Sequence, residues 1–184
     1  MEAIRNDMRY TYADYHSWDD EVRRELIDGV AYMLSAPAWE HQRVSHRLSL
    51  QLGNFLVGKT CEVYSAPFDV RLNAAERDDT VVQPDLVVIC DRSKLRGTGC
   101  VGTPDMVIEI LSPATAARDK LIKLNMYLRY GVREYWIIDP DNKMVSVHIL
   151  ENNNYVIRAY GNTDVVPVHI LAGCTVKLSD VFDE

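Results

Sequence analysis

The stretch Val107–Pro140, VIEILSPATAARDKLIKLNMYLRYGVREYWIIDP, decides the fold. It opens as a buried β-strand interrupted by one carboxylate, Glu109. Burying an ionised carboxylate without partners is costly enough to call for a cation, a hydrogen-bond network or a raised pKa. Ser112–Pro113 then suits a helix start, with serine as cap and proline in the first turn, and Gly131 suits its end. EYWIID, Glu134–Asp139, reads as a further strand.

Upstream lie two β-branched runs that each begin with Pro-Asp: PDLVVIC from Pro84 and PDMVIEIL from Pro104, separated by the loop DRSKLRGTGCVGT. Side chains alternate across a strand, so Asp105, Val107, Glu109 and Leu111 share one face, and Asp85, Val87 and Ile89 share one face of the other run. If the two strands pair antiparallel, Asp85 meets Glu109, with Cβ atoms about 5 Å apart. Two carboxylates at that separation repel unless a cation or a shared proton intervenes. A divalent metal answers this economically. Oxygen ligands suit Mg2+, or Mn2+, with water and a substrate phosphate completing the shell. Asp105 has the same parity as Glu109, but four residues of strand separate the two by roughly 13 Å.

On the helix that follows, Asp119, Lys123 and Tyr127 recur every fourth residue and form one stripe. An ammonium there could orient water or offset charge on a reacting phosphate, with Lys123 the first candidate and Lys120 the second. Its bland alternative is an ion pair with Asp119. Arg118, Lys120, Lys123, Arg129 and Arg133 outnumber Asp119 and Glu134, a local positive face that could bind substrate. Tyr127, Tyr130, Tyr135 and Trp136 read first as core or interface aromatics. Gly97, Gly99 and Gly102 match no phosphate-binding fingerprint and read as loop geometry.

Towards the N-terminus, residues 11–24 read as a short helix, and ELIDGVAYML as a hairpin turning at Asp28–Gly29. Trp39–Val57 places Val44, Leu48, Leu52, Phe55 and Leu56 on one helical face. Glu40, four residues before Val44, is expected to extend that stripe, with His41 beside it as a substrate contact. EVYSAPFDVRL reads as one strand with Pro67 at an edge or bulge. MVSVHIL and NYVIRAY form a hairpin around Asn152–Asn154, followed by short β-structure from Val165 to Phe182.

At 184 residues with 47% apolar and 26% charged residues, the chain fits one domain, 1–184. The net charge of −7 argues against tight nonspecific binding to nucleic acid except through a local basic patch. The four cysteines show no CxxC pairing, so free thiols in a reducing compartment are expected. No apolar run approaches the roughly 20 residues that span a bilayer, which points away from the membrane and to the cytoplasm.

The order of these parts resembles the core of the PD-(D/E)XK nuclease superfamily. More narrowly, LIDGVAYMLSAP with EHQ, VQPDLVVI, VIEILSPAT and DKLIKLNMYLRYGVREYWIIDP resemble the Uma-type restriction endonucleases over roughly residues 10–182. The resemblance implies a restriction-endonuclease-like α/β fold: a central mixed sheet flanked by helices, a nuclease core at about 38–140 and extra C-terminal β-hairpins. It implies a magnesium-dependent site carrying Glu40, Asp85 and Glu109, DNA as substrate, and a homodimer. Leu111 stands where the superfamily pattern has lysine, and an aliphatic side chain cannot position water. The basic group is then expected on the helix, as Lys123. The function expected is metal-dependent hydrolysis of DNA phosphodiesters. The alternatives are a dimeric nucleic-acid-binding or regulatory module of weak or no catalysis, and a hydrolase of small phosphorylated molecules, which would need a closed pocket.

Overall fold

Asp28 and Gly29 take φ of 49° and 78°, the left-handed pair that a tight hairpin turn requires, and strands Arg24–Ile27 and Val30–Met33 pair across them. The same device recurs at Asn152 and Asn153, φ 50° and 63°, between Met144–Glu151 and Asn154–Gly161. The structure, a computed structural model, describes residues 2–3, 8–112 and 116–183, and of 2–3 and 116–120 the backbone alone. The helices are α1 (Tyr12–Ser17), α2 (Trp39–Leu56), α3 (Ala116–Arg129) and α4 (Ser179–Phe182).

A six-stranded sheet runs in the order Asn154–Gly161, Met144–Glu151, Glu134–Asp139, Met106–Ile110, Leu86–Ile89, Glu62–Ser65. Its one parallel pair among the described residues, Met106–Ile110 with Glu134–Asp139, is connected through α3. Leu86–Ile89 lies antiparallel to Met106–Ile110, with Met106 opposite Val88 and Ile108 opposite Leu86. A second, seven-stranded sheet contains the Asp28–Gly29 hairpin, Asp69–Arg71, Val81–Val82 and Gly99–Val101.

Alternation along the central strands sends successive residues into two cores. Leu86, Val88, Met106, Ile108 and Trp136 pack with Val44, Leu48, Leu52 and Leu56 of α2. Val87, Val107 and Tyr135 pack on the other face with Met126 and Tyr127 of α3 and with Val70 and Val82 of the second sheet. α2 has no side-chain cap at Ala38, an omission of about 1 kcal/mol. Four buried aliphatics at about 1.5–3 kcal/mol each outweigh it. The C-terminal strands Val165–Pro167 and Thr175–Lys177 pair with each other, and Val181 and Phe182 of α4 close the α2 core.

Several expectations change. The first helix ends at Ser17, because Trp18 turns out of it and packs edge-on against Tyr10 and Tyr15. EVYSAPFDVRL is two strands: Glu62–Ser65 belongs to the six-stranded sheet and Asp69–Arg71 to the other, so Pro67 marks a crossing between sheets. The loop after Cys90 holds Leu95–Arg96 and Gly99–Val101, the latter parallel to Asp69–Arg71. Gly99 is required there, since a Cβ would lie 1.9 Å from the Asp69 carbonyl oxygen. The Ser112–Pro113 helix start lies partly outside the described residues, and the helix ends at Gly131 with φ 73°.

The expectation of four free thiols is also corrected: Cys61 and Cys90 form a disulfide, while Cys100 and Cys174 are free and buried. Glu62 pairs with Ile89, so the next step of that register sets Cys61 and Cys90 face to face. Among the described residues, no helix is long and apolar enough to cross a membrane.

Candidate active site

Extending the Leu86–Ile89 register by one residue beyond the Ile108–Leu86 pair sets Asp85 opposite Glu109. The two carboxylates sit together on the face that α3 covers, at the base of a cleft of about 660 Å³. Asp85 is pinned by its Oδ2, which accepts the Ile110 N–H at 2.7 Å and lies 3.2 Å from His41 Nε2. Glu109 Oε1 accepts from Lys123 Nζ at 2.9 Å and from the Tyr127 hydroxyl at 2.8 Å. Lys123 and Tyr127 reach the same oxygen because residues four apart share a helix face.

Lys123 is 9% exposed and makes a second ion pair at 2.9 Å, to Glu25 Oε1. Glu25 comes from the Asp28–Gly29 hairpin and is fully buried. Its Oε1 also accepts the Gln83 backbone N–H at 2.9 Å, two residues before Asp85. Its Oε2 finds no partner among the described residues. A chain of carboxylate, ammonium and carboxylate therefore joins the second sheet to the first through α3.

Burial pushes the Glu109 carboxyl up to about 7 against the pull of Lys123, with the negative charges of Asp85 and Glu25 adding to the rise. Burial favours the neutral amine of Lys123, but Glu109 and Glu25 outweigh it and hold the ammonium charged. For His41 burial again opposes the charge, and the hydrogen bond and charge of Asp85 turn the shift upward.

The cleft wall on the α2 side is His41, Gln42, Ser45, His46 and Ser49, one polar helix face. Arg23, Met33 and Leu34 also line the cleft, so residues before position 38 build the site too. Glu40 is exposed and outside the cleft lining, which corrects the expectation that it extends the buried stripe towards the two acids. Each four-residue step along a helix advances about 40°, so over Val44, Leu48 and Leu52 the stripe turns steadily away from Glu40. Leu111 does line the cleft, partly buried against the α3-side core. Asp105 is at the other end of its strand, accepting the Cys90 N–H and pairing with Arg133. The side chains of Arg118, Asp119 and Lys120 lie outside the described residues. Tyr127, Tyr135 and Trp136 are buried, and of the three Tyr135 lines the cleft.

Glu25 is the site residue that sequence reasoning missed. Its strand reads Arg24-Glu25-Leu26-Ile27, so an acid beside an arginine at the strand's start gave a weaker signal than Glu109, which interrupts an apolar run.

Comparison with known proteins agrees with this architecture. Residues 12–179 match the family model Uma2, described as "Putative restriction endonuclease", and the chain belongs to that family. It is similar to two Synechocystis sp. proteins, slr1290 and sll1609. The first is 25% identical, covering 82% of this chain and 80% of the relative; the second is 27% identical, covering 76% and 80%. Among solved structures it resembles one from Anabaena variabilis described as "a putative nuclease belonging to DUF820", with a TM-score of 0.76 and 19% identity. That match covers 94% of this chain and 97% of the other. The fold is thus a nuclease-like mixed α/β fold.

Proposed function

We propose that the chain hydrolyses phosphodiester bonds in DNA, using Asp85 and Glu109 to hold a divalent cation, Mg2+ or Mn2+. The single observation that carries the reading is the convergence of these two acids at the base of one cleft, with Lys123 2.9 Å from Glu109. Family membership supports the nuclease class. The donor set fits magnesium, which binds through one or two carboxylates and keeps several waters. When bound, such an ion polarises the phosphoryl group and lowers the pKa of its water.

The chain's own groups supply the rest. Lys123 carries a fixed positive charge at the cleft base and faces charge gathering on the phosphate, the part that Leu111 cannot play. Tyr127 and the Ile110 N–H fix the rotamers of the two acids. His41 and the hydroxyls of Ser45 and Ser49 provide donors for flanking phosphates along one wall.

One observation favours a second reading, a dimeric nucleic-acid-binding or regulatory module: Leu111, an aliphatic side chain, lines the cleft where the superfamily pattern has lysine. Incubation of the purified protein with single-stranded, double-stranded and branched DNA in Mg2+ or Mn2+ separates the two. Cleavage lost in Asp85→Ala and Glu109→Ala supports the enzyme. Binding without cleavage under every condition supports the module.

A further inference from the structure

We infer that Glu25 is a positioning residue: it holds the Lys123 ammonium in the cleft independently of Glu109, so that Lys123 keeps its place when Glu109 turns its charge to a cation. The inference rests on the nuclease reading for its catalytic consequence, but the anchoring itself is a property of the chain.

Lys123 hangs between two carboxylates at equal distance, 2.9 Å from each. The two acids differ in everything else. Glu109 lines the cleft beside Asp85, where an incoming cation competes with Lys123 for its oxygens. Glu25 is fully buried, is no part of the cleft lining, and has its Oε1 fixed by the Gln83 N–H as well as by Lys123. A cation at the cleft base therefore reaches Glu109 and not Glu25.

Among the described residues Oε2 has no partner, so hydrogen bonding accounts for one oxygen of this acid and not the other. A strand residue serving only to accept the Gln83 N–H could do so without a charge. Leaving a buried carboxylate oxygen unsatisfied is destabilising. What a full negative charge adds here is a counter-ion for Lys123. Without it, Lys123 has Glu109 as its only described ion-pair partner and is released whenever that acid engages metal. The hairpin that carries Glu25 runs on into Met33 and Leu34 of the cleft wall, so one element sets both the wall and the lysine.

The test has two arms. In metal-free protein, the Lys123 ammonium is followed by NMR as a slowly exchanging signal in Glu109→Gln, Glu25→Gln and the double variant. The signal is expected to persist in Glu109→Gln and to vanish in the double variant. Its loss in Glu109→Gln alone, or its survival in the double variant, overturns the proposal. In the cleavage arm, Glu25→Gln keeps an oxygen for the Gln83 N–H and so is expected to fold, lowering kcat at least about tenfold with KM changed less than about threefold. In a Lys123→Gln background the same change is expected to have no further effect. An unchanged kcat, or an equal loss in both backgrounds, also overturns it. A wild-type protein that cuts no DNA, with Lys123 still pinned by Glu25, sinks the nuclease reading and leaves the anchor standing.

Discussion

Two Pro-Asp dipeptides begin the two central strands, and the antiparallel pairing relates them almost as a two-fold axis would. Asp85 Oδ2 accepts the Ile110 N–H at 2.7 Å, and Asp105 Oδ2 accepts the Cys90 N–H at 2.8 Å. Each aspartate thus secures the end of the neighbouring strand in the same way. What surrounds them differs. At the other end Asp105 pairs with Arg133 outside the cleft lining, and the Cys61–Cys90 disulfide ties the neighbouring strands together on the α2 face of the sheet. The Asp85 end opens on a cleft where Glu109 and His41 crowd the carboxylate. Identical local chemistry serves structure at one end and is available for a reaction at the other, and only the surroundings separate them.

The comparison is broken most directly by exchanging its members. Asp85→Ala is expected to cut the DNA cleavage rate roughly a thousandfold, while Asp105→Asn leaves it within about twofold. Equal losses in single-turnover assays would mean that the two ends are not distinct.

Replacing Cys61 and Cys90 by alanine tests the Asp105 end. The 29-residue separation gives a chain-entropy contribution of about 3.5 kcal/mol, so the denaturation midpoint should fall while the cleavage rate holds. A rate that falls with it would tie the far end to the chemistry.

Lys123→Met sharpens the open end. Removing the positive group should cost about a hundredfold in rate, and stability should drop as well, because Glu25 and Glu109 are left buried without their shared counter-ion. Calorimetry and cleavage assays read the two effects separately.

At the far end, Asp105→Ala leaves the Cys90 N–H without its acceptor, an expected loss of about 1–2 kcal/mol by urea unfolding. The smallest effect is on pH dependence. Burial pushes the Glu109 carboxyl up to about 7, and a cation needs it ionised. Below that pH binding must displace a proton, so Mg2+ or Mn2+ affinity measured by calorimetry should weaken as pH falls from 8 to 6. Asp85-dependent binding that ignores pH over this range would contradict the assignment.

Much of this was legible in the residues. Period-two alternation placed Asp85 and Glu109 on matching faces, and one assumption, antiparallel pairing, brought them together. The fourfold spacing on α3 put Lys123 and Tyr127 on one stripe. Glu40 misled because a four-residue spacing drifts about 40° at each step, so residues spaced by four share a face only over a short stretch. Cys61 and Cys90 carry no local motif; their approach follows from a strand register that leaves no mark between them.

What the sequence by itself determined is the central strands, the two long helices, their hydrophobic faces and the two acids of the cleft, because these depend on periodicities of two and of about four residues. Tertiary structure alone decided that Glu25, 98 positions from Lys123, shares its ammonium, and that one Pro-Asp end opens on the cleft and the other lies outside it. Those outcomes depend on how one sheet docks against another, a long-range arrangement that short-range spacing does not encode.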